Sequence, residues 1–201
     1  MTYATLNELK GYLSMGTADA LDDAQLNDAL SSASDLIDGY CGRSFAAAGT
    51  ATATRVYAPQ SSGYVAIDDA AEVTAVATSS NLDGTYDTDW DAADWQSEPL
   101  NGVLAGKAWP VTTVRAIGTK RFRVCVAASV QVTARFGWSA TPAPVKQATL
   151  IQASRLFKRS GATLGITGNA ETGLMRVTGS MDSDAARLLL PFRRSTGVAV
   201  A

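Results

Sequence analysis

The stretch DDAQLNDALSSASDLIDGYCGRSF, from Asp22 to Phe45, decides the fold of this chain. Its larger apolar side chains recur at alternating steps of four and three residues, which places them along one face of a helix. Many of the remaining positions are alanine or serine, so a second helix can approach closely. We therefore predict a core helix over 22–40 that packs in a small bundle. The residues on its apolar face are Leu26, Leu30, Ala33, Ile37 and Tyr40.

The ends of two N-terminal helices carry capping signals. Asp22, followed three residues later by Gln25, resembles a capping box, in which side chains bind the free amide groups of the first turn. Gly42 follows the last turn, where glycine readily adopts the left-handed conformation that ends many helices. Thr5 and Glu8 form a second capping box, which predicts a short helix through about residue 13.

Two further helices are predicted near the C-terminus. Pro142 and Pro144 suit the first turn of a long helix, where a missing amide hydrogen does no harm. That helix ends before the glycine-rich run 161–180, for which we expect a mobile loop or a loose hairpin. Asp182 can cap a final short helix over 185–190.

The interior of the chain has the patterns of β-strands. From Val124 to Phe136 every even position is apolar, which is typical of a half-buried antiparallel strand. Thirteen residues are long for one strand, so we expect a bulge or a turn near 127–129. Four shorter runs also have β-type patterns: Arg55–Tyr57, Tyr64–Ile67, Val73–Ala77 and Val111–Ile117.

Helices, then strands, then helices in sequence order predict an α+β fold. The prediction is a helical bundle core built from the N- and C-terminal helices, with an antiparallel β-rich insertion. In residue numbers, the helical core covers 1–45 and 142–194, the insertion covers 46–141, and a C-terminal tail covers 195–201.

Composition excludes several kinds of chemistry. The chain has no histidine, which removes Ser–His and Cys–His catalysis and most zinc or iron sites. Cys41 and Cys125 lack the CxxC spacing, so we predict two buried thiols in a reducing compartment. Neither a secretory leader nor a bilayer-length apolar stretch is visible. We expect a soluble protein that folds inside the cell and carries no cofactor.

Charge is distributed unevenly along the chain. Residues 1–100 carry 3 basic against 16 acidic side chains, whereas residues 101–201 carry 14 basic against 3 acidic ones. Separate halves would give an acidic and a basic surface. These would suit head-to-tail contacts between copies, or contact of the basic half with nucleic acid or an acidic partner. Halves that intermix on one globule would instead cancel the asymmetry.

An acidic loop is the best candidate for a metal site. Asp87, Asp89 and Asp91 have the D-x-D-x-D spacing that opens a calcium loop, and Glu98 stands at the twelfth position. Ala92 replaces the expected turn glycine, and flanking helices are absent. An exposed acidic hairpin without a metal explains the same residues. Metal-dependent hydrolysis lacks a base or nucleophile at a recognisable spacing, so we expect no enzyme.

Four segments in a fixed order resemble head–tail connector (adaptor) proteins of tailed bacteriophages and phage-like particles. They are TLNELKGYL, LIDGYCGRSF, VTARFGWSATPAPVKQATLIQASRLFKR and SMDSDAARLLLPFRR. The resemblance covers about residues 3–45 and 130–194, and it is weakest from 46 to 129. It implies a structural virion protein without enzymatic activity.

The resemblance also implies partners and a location. Such adaptors form a ring, commonly dodecameric, which docks beneath the portal, continues the DNA channel and meets a tail-side neck or stopper protein. Double-stranded DNA would pass through without sequence-specific contacts, and no membrane is involved. The location would be the neck of the virion, with assembly in the host cytoplasm. The alternative is a calcium-stabilised β-rich adhesion or carbohydrate-binding module.

Two sets of residues are candidates for these contacts. The resemblance places portal binding in the C-terminal segment, on Pro191, Phe192, Arg193 and Arg194. The basic cluster Lys120, Arg121 and Arg123 is a candidate for the DNA channel, because basic side chains can contact phosphate. A solvated turn between strands explains the same cluster.

Overall fold

The computed structural model describes residues 1–16, 18, 20–124, 127–160, 166–167, 175–176 and 181–194. The chain divides into two compact units. The helical unit consists of Met1–Phe45 and Thr141–Ala201, and the sheet unit consists of Ala46–Ala140. The fold class is α+β, as predicted, with α-helices in the first unit and an antiparallel sheet in the second.

Within the described residues, the helical unit contains four α-helices. They are α1 (Leu6–Tyr12), α2 (Asp23–Cys41), α3 (Ala143–Ser160) and α4 (Ser183–Leu189), and a 3-10 turn, Leu190–Phe192, follows α4. Between α3 and α4 in sequence, Ile166–Thr167 (β9) pairs antiparallel with Met175–Arg176 (β10). The rest of the predicted loop or hairpin over 161–180 lies outside the described residues.

The helix ends confirm three capping predictions and correct one. Thr5 caps α1, since its hydroxyl accepts from the backbone nitrogen of Glu8 at 3.2 Å and its own amide donates to the Glu8 carboxylate at 2.8 Å. Gly42 ends α2 with φ +65°. The capping box at the start of α2 was wrong, because Asp22 has φ −103° and ψ 8° and makes no capping hydrogen bond. An N-cap side chain needs extended backbone to reach the first amides.

The C-terminal helices follow their predicted signals. Helix α3 begins at Ala143 with Pro144 in its first turn. The Asp182 carboxylate accepts hydrogen bonds from the backbone nitrogens of Asp184 at 2.8 Å and Ala185 at 3.3 Å, which confirms the predicted cap of α4.

The core of the helical unit lies between α2 and α3. Helix α3 packs against α1, α2 and α4, so the two ends of the sequence close around one apolar cluster. Tyr40, at the end of the predicted apolar face of α2, is only half-buried, whereas its other members are buried. The buried residues of this cluster are Ala4, Leu9, Leu26, Ala29, Leu30, Ala33, Leu150 and Ala153.

The sheet unit contains a six-stranded antiparallel sheet with the order β1-β8-β2-β7-β4, and β3 pairs with β2. A separate hairpin is formed by β5 and β6. The strands are β1 (Ala53–Tyr57), β2 (Tyr64–Thr78), β3 (Thr88–Asp89), β4 (Trp95–Glu98), β5 (Val103–Leu104), β6 (Lys107–Ala108), β7 (Val111–Ala116) and β8 (Val130–Phe136).

Strand β2 corrects one expectation about the interior. The sequence suggested two strands, over Tyr64–Ile67 and Val73–Ala77, but the structure has one strand of 15 residues. Its first part pairs with β7 and its later part pairs with β8, and the register shifts near Ala70 on both sides. These irregularities bend the strand, which is why its apolar pattern is interrupted in the middle.

Strand β8 confirms the predicted period of two, but only from Val130 onward. Val130, Val132 and Ala134 are buried, whereas Val124 is 55% exposed and precedes the strand. The Ser129 hydroxyl donates to the carbonyl of Arg123 at 2.8 Å. Strand β8 begins at Val130, so the expected break near 127–129 lies directly before the strand.

Gly137 and Trp138 mark a close approach of two backbone segments in the sheet unit. The amide of Trp138 donates to the carbonyl of Ala46 at 2.9 Å, and the amide of Ala48 donates back to Trp138 at 2.7 Å. Gly137 has φ +117°, and a Cβ there would lie 2.7 Å from the Ala46 oxygen. Only glycine fits this position without a shift of the backbone.

The cysteine prediction is confirmed at Cys41, which is buried at the end of α2. Burial raises the pKa of its thiol to about 11, so it is a poor nucleophile at neutral pH. Cys125 and the predicted tail 195–201 lie outside the described residues. In the described part of the chain, no helix is both long and apolar enough to span a bilayer.

Candidate functional site

The predicted calcium ligands do not converge. The Asp87 carboxylate accepts hydrogen bonds from the Ser80 hydroxyl at 2.5 Å and the Ser80 amide at 3.1 Å, and these bonds lower its pKa. Glu98 makes a two-point ion pair with Arg115 at 2.5 and 3.1 Å. Asp89 and Asp91 are exposed.

Among the described residues, no three Asp, Glu or Cys side chains form a group that could hold a metal ion. The calcium-module and hydrolase hypotheses therefore have no site in this part of the chain. Two of the four candidates instead pair within the sheet unit, Asp87 with Ser80 and Glu98 with Arg115.

The basic cluster lies in the loop between β7 and β8. Arg121 donates to the carbonyl of Gly118 at 2.9 Å, which holds its side chain against its own turn. Arg123 donates to the carbonyl of Ser80 at 2.8 Å. Both arginines are exposed, so this loop is a solvated surface that remains accessible to phosphate.

The loop that carries the basic cluster, residues 117–124, packs against the acidic loop, residues 79–94. The rings of Trp90 and Phe122 stack with centroids 4.6 Å apart and planes 9° apart. Lys120 lies 3.1 Å from the carboxylate of Asp94 and 5.6 Å from the centre of the Trp90 ring. Residues 79–94 contain five aspartates and residues 117–124 contain three basic side chains. The carboxylates therefore weaken the attraction of this surface for DNA.

Within the helical unit, the C-terminal segment 191–194 packs against the end of α2 and against Phe45. Phe192 is 2% exposed, and its ring meets that of Phe45 edge-on with centroids 5.9 Å apart. The Arg193 guanidinium lies 4.9 Å from the centre of the Tyr40 ring. The amide of Arg194 donates to the carbonyl of the last α2 residue at 2.8 Å. Phe192, which the resemblance includes in the portal-binding segment, is thus a core residue of the helical unit.

The charge asymmetry of the sequence does not follow the two units. The helical unit has 10 basic and 10 acidic side chains, and the sheet unit has 7 basic and 9 acidic ones. The acidic first half and the basic second half of the sequence both contribute to the helical unit, so neither unit as a whole carries a strong charge. A charge difference remains between two helices of the helical unit. Every charged residue of α2 is acidic, and every charged residue of α3 is basic.

Comparison with solved structures finds similar chains in gene transfer agent (GTA) particles, two of them in structures of the particle neck. One belongs to the neck of an empty GTA particle computed with C6 symmetry, with 19% identity, a TM-score of 0.57, and coverage of 96% of this chain and 91% of that chain. Another belongs to the neck of a native GTA particle computed with C12 symmetry, with 17% identity, a TM-score of 0.52, and coverage of 96% and 90%.

A third similar chain comes from the virion of a native GTA particle, with 18% identity, a TM-score of 0.55, and coverage of 96% and 91%. No family model matches this chain, and no curated protein does so either. The resemblance to head–tail connector proteins is therefore confirmed at the level of the fold: this chain has the fold of a GTA neck protein.

Proposed function

We propose that this chain is a structural neck protein of a phage-like particle, a connector that joins head to tail. One observation supports it above all. The fold match extends over 96% of this chain and 90–91% of the neck chains, so both units take part. A neck component acts through its shape and its contacts, and we propose no enzymatic reaction.

The proposed assembly is a homo-oligomeric ring, twelve-fold, beneath the portal. The C6 and C12 symmetries of the similar neck structures support a ring of this order, since cyclic contacts close into rings. The ring would extend the DNA channel and meet a tail-side neck or stopper protein. Its location would be the virion neck, after assembly in the host cytoplasm.

We propose that the C-terminal segment contacts the portal. Phe192 anchors the segment inside the helical unit, while Pro191 and Arg193 are exposed. Arg194 is half-buried beside the end of α2. The anchored ring of Phe192 would lower the entropy lost when the arginines bind an acidic partner.

A channel role for Lys120, Arg121 and Arg123 stays a proposal. The carboxylates beside this cluster reduce its net attraction for phosphate, and sliding of DNA needs weak contacts. A surface of mixed charge meets that need better than a purely basic one.

Electron microscopy tests the proposed function. The purified chain is imaged in negative stain, alone and mixed with the portal protein of the same particle. The expected result is a ring with a central opening, either free or attached to the portal. Monomers that never join a portal complex would contradict the proposal.

A further inference from the structure

Helix α2 has a broad exposed face on the side away from its core. Its buried residues face α3, and positions half a turn away point outward. Two aspartates on this outer face, Asp28 and Asp35, are seven residues apart, about 10 Å along the axis. Ser31 and Ser32 lie between them, and Leu36 is 47% exposed. All five side chains are exposed, and no basic residue occurs in α2. We call this surface the acidic face.

A basic surface lies elsewhere on the same unit. Lys158 and Arg159 are exposed in the last turn of α3, and Arg187 is exposed on α4. An ion pair between Arg155 and Asp182 holds the start of α4 beside this part of α3. Helix α4 runs from this point toward the N-terminal end of α3, where Phe192 meets Phe45 and Phe45 accepts a hydrogen bond from Thr141, so Arg187 lies apart from the other two. We call Lys158 and Arg159 the basic face.

The two faces cannot meet within one copy. The buried side of α2 packs on α3, so the acidic face points away from the helix that carries Lys158 and Arg159. A surface and its electrostatic complement at different places on one subunit make a heterologous contact, which closes into a ring when the rotation between copies is right. The small Ser31 and Ser32 side chains allow close approach, and Leu36 adds apolar area at the edge.

We propose that the acidic face of α2 in one copy binds the basic face of α3 in the next copy. The inference rests on the proposed ring and identifies the contact that builds it. A second copy is the occupant that satisfies both faces at once. DNA bound to the basic face would leave the acidic face without a partner.

Charge reversal on each face gives the test. One variant carries Asp28→Lys with Asp35→Lys, so both of its faces are basic. The other carries Lys158→Glu with Arg159→Glu, which makes both of its faces acidic. Each variant alone should assemble at least about tenfold more weakly than wild type, because two attractive pairs become repulsive.

Mixing the two variants is the decisive measurement. In a one-to-one mixture, every contact between unlike variants again joins a basic face to an acidic one. We expect the mixture to form rings in which the two variants alternate, with assembly within about threefold of wild type. Sedimentation velocity and negative-stain images report this, under the conditions where wild type assembles, alone or on the portal.

Two controls separate the interface from general effects of charge. The variant Asp89→Lys with Asp91→Lys changes the net charge by the same amount as the α2 variant, but it does so in the sheet unit. It should assemble like wild type. Lysine has a higher helix propensity than aspartate, so the α2 variant should fold, which circular dichroism checks.

Two outcomes would overturn the interface. One is that both reversed variants assemble like wild type, and the other is that the mixture fails to assemble. Both leave the ring itself standing, because wild type still forms it. A wild-type chain that forms no ring, alone or with the portal, would overturn the proposed function and this inference with it.

Discussion

The helical unit and the sheet unit place their charges differently on their surfaces. In the helical unit, residues 1–45 have 2 basic and 7 acidic side chains, and residues 141–201 have 8 basic and 3 acidic ones. In the sheet unit, three ion pairs join opposite charges on different strands. These are Arg55–Asp68 at 2.7 Å, Arg115–Glu98 at 2.5 Å and Arg135–Glu72 at 3.1 Å.

Antiparallel strands bring opposite charges face to face at short range. Ion pairs also join elements of the helical unit, namely Lys10–Asp23, Lys146–Glu8 and Arg155–Asp182. Helices expose whole faces whose charge is set by one segment of sequence. The exposed face of α2 and the exposed end of α3 each keep charges of one sign, and for this reason we assign the contacts between copies to the helical unit.

Two spectroscopic probes can follow the units separately. All four tryptophans, Trp90, Trp95, Trp109 and Trp138, lie in the sheet unit. The α-helices of the described residues all lie in the helical unit. Tryptophan emission therefore reports the sheet unit, and circular dichroism at the helix band reports mainly the helical unit.

The largest expected effect comes from Leu30→Ala. Leu30 is 1% exposed in the core between α2 and α3, and truncation leaves a cavity that should cost about 3–4 kcal/mol. Urea unfolding of the unassembled chain should show this loss in circular dichroism. The tryptophan transition should move less than half as far, because the cavity lies in the helical unit.

Leu36→Ala is the matched control, since Leu36 lies on the same helix and is 47% exposed. It should cost less than about 1 kcal/mol in the same experiment. Equal shifts of both probes in Leu30→Ala would show that the two units unfold as one cooperative body, and the contrast between them would then not extend to stability.

Gly137→Ala should shift the tryptophan transition more than the circular-dichroism transition, which is the reverse of the result expected for Leu30→Ala. The new Cβ would lie 2.7 Å from the Ala46 oxygen and 2.9 Å from the Ala48 nitrogen, at φ +117°. Strain and overlap together should cost about 2–3 kcal/mol, measured in the tryptophan transition. Gly84→Ala separates the two causes, because Gly84 has φ +86° and no atom within 4 Å of the new Cβ.

The Gly84 variant should lose only about 1 kcal/mol, the cost of the backbone conformation. If both alanine variants lost the same stability, the close approach of Ala46–Ala48 would be irrelevant to the sheet unit.

The smallest effect concerns Asp182, the cap of α4. Burial would raise the pKa of its carboxyl, but the amides of Asp184 and Ala185 and the Arg155 guanidinium together hold the pKa below its usual value. A lowered pKa in the folded state means stability that is present above the unfolded pKa of about 4 and is lost as pH falls through the folded value.

Asp182→Asn keeps a capping oxygen but removes the charge. At pH 7 the variant should be less stable than wild type by about 1 kcal/mol or less, and the difference should vanish at the acid end as Asp182 protonates. Urea midpoints by circular dichroism between pH 7 and pH 2.5 measure it, with Asp184→Asn as an exposed control in the same helix. A difference that is constant with pH would contradict the role of the charge.

Much of the helical unit could be predicted because its signals are local. The Thr5–Glu8 box, the Gly42 terminus and the Asp182 cap each depend on residues within four positions. The failure at Asp22 shows the limit, since the capping sequence is present but the backbone angles are not. The acidic loop shows a second limit: its spacing alone leaves a metal site and a metal-free hairpin open, whereas the structure pairs two of the four carboxylates with Ser80 and Arg115.

Local sequence patterns predicted the α+β class, the apolar face of α2 and the inward alternation of β8, and the composition excluded histidine chemistry. Which distant groups meet depends on how each unit packs. The Trp138 indole donates to Asp69 at 3.1 Å across 69 positions, and the Tyr3 hydroxyl accepts from the Phe45 amide at 2.9 Å across 42. Periodicity and capping act over one or two helical turns and leave a trace in the sequence. Partners across a core are chosen by burial and packing of the whole unit, which no local pattern records.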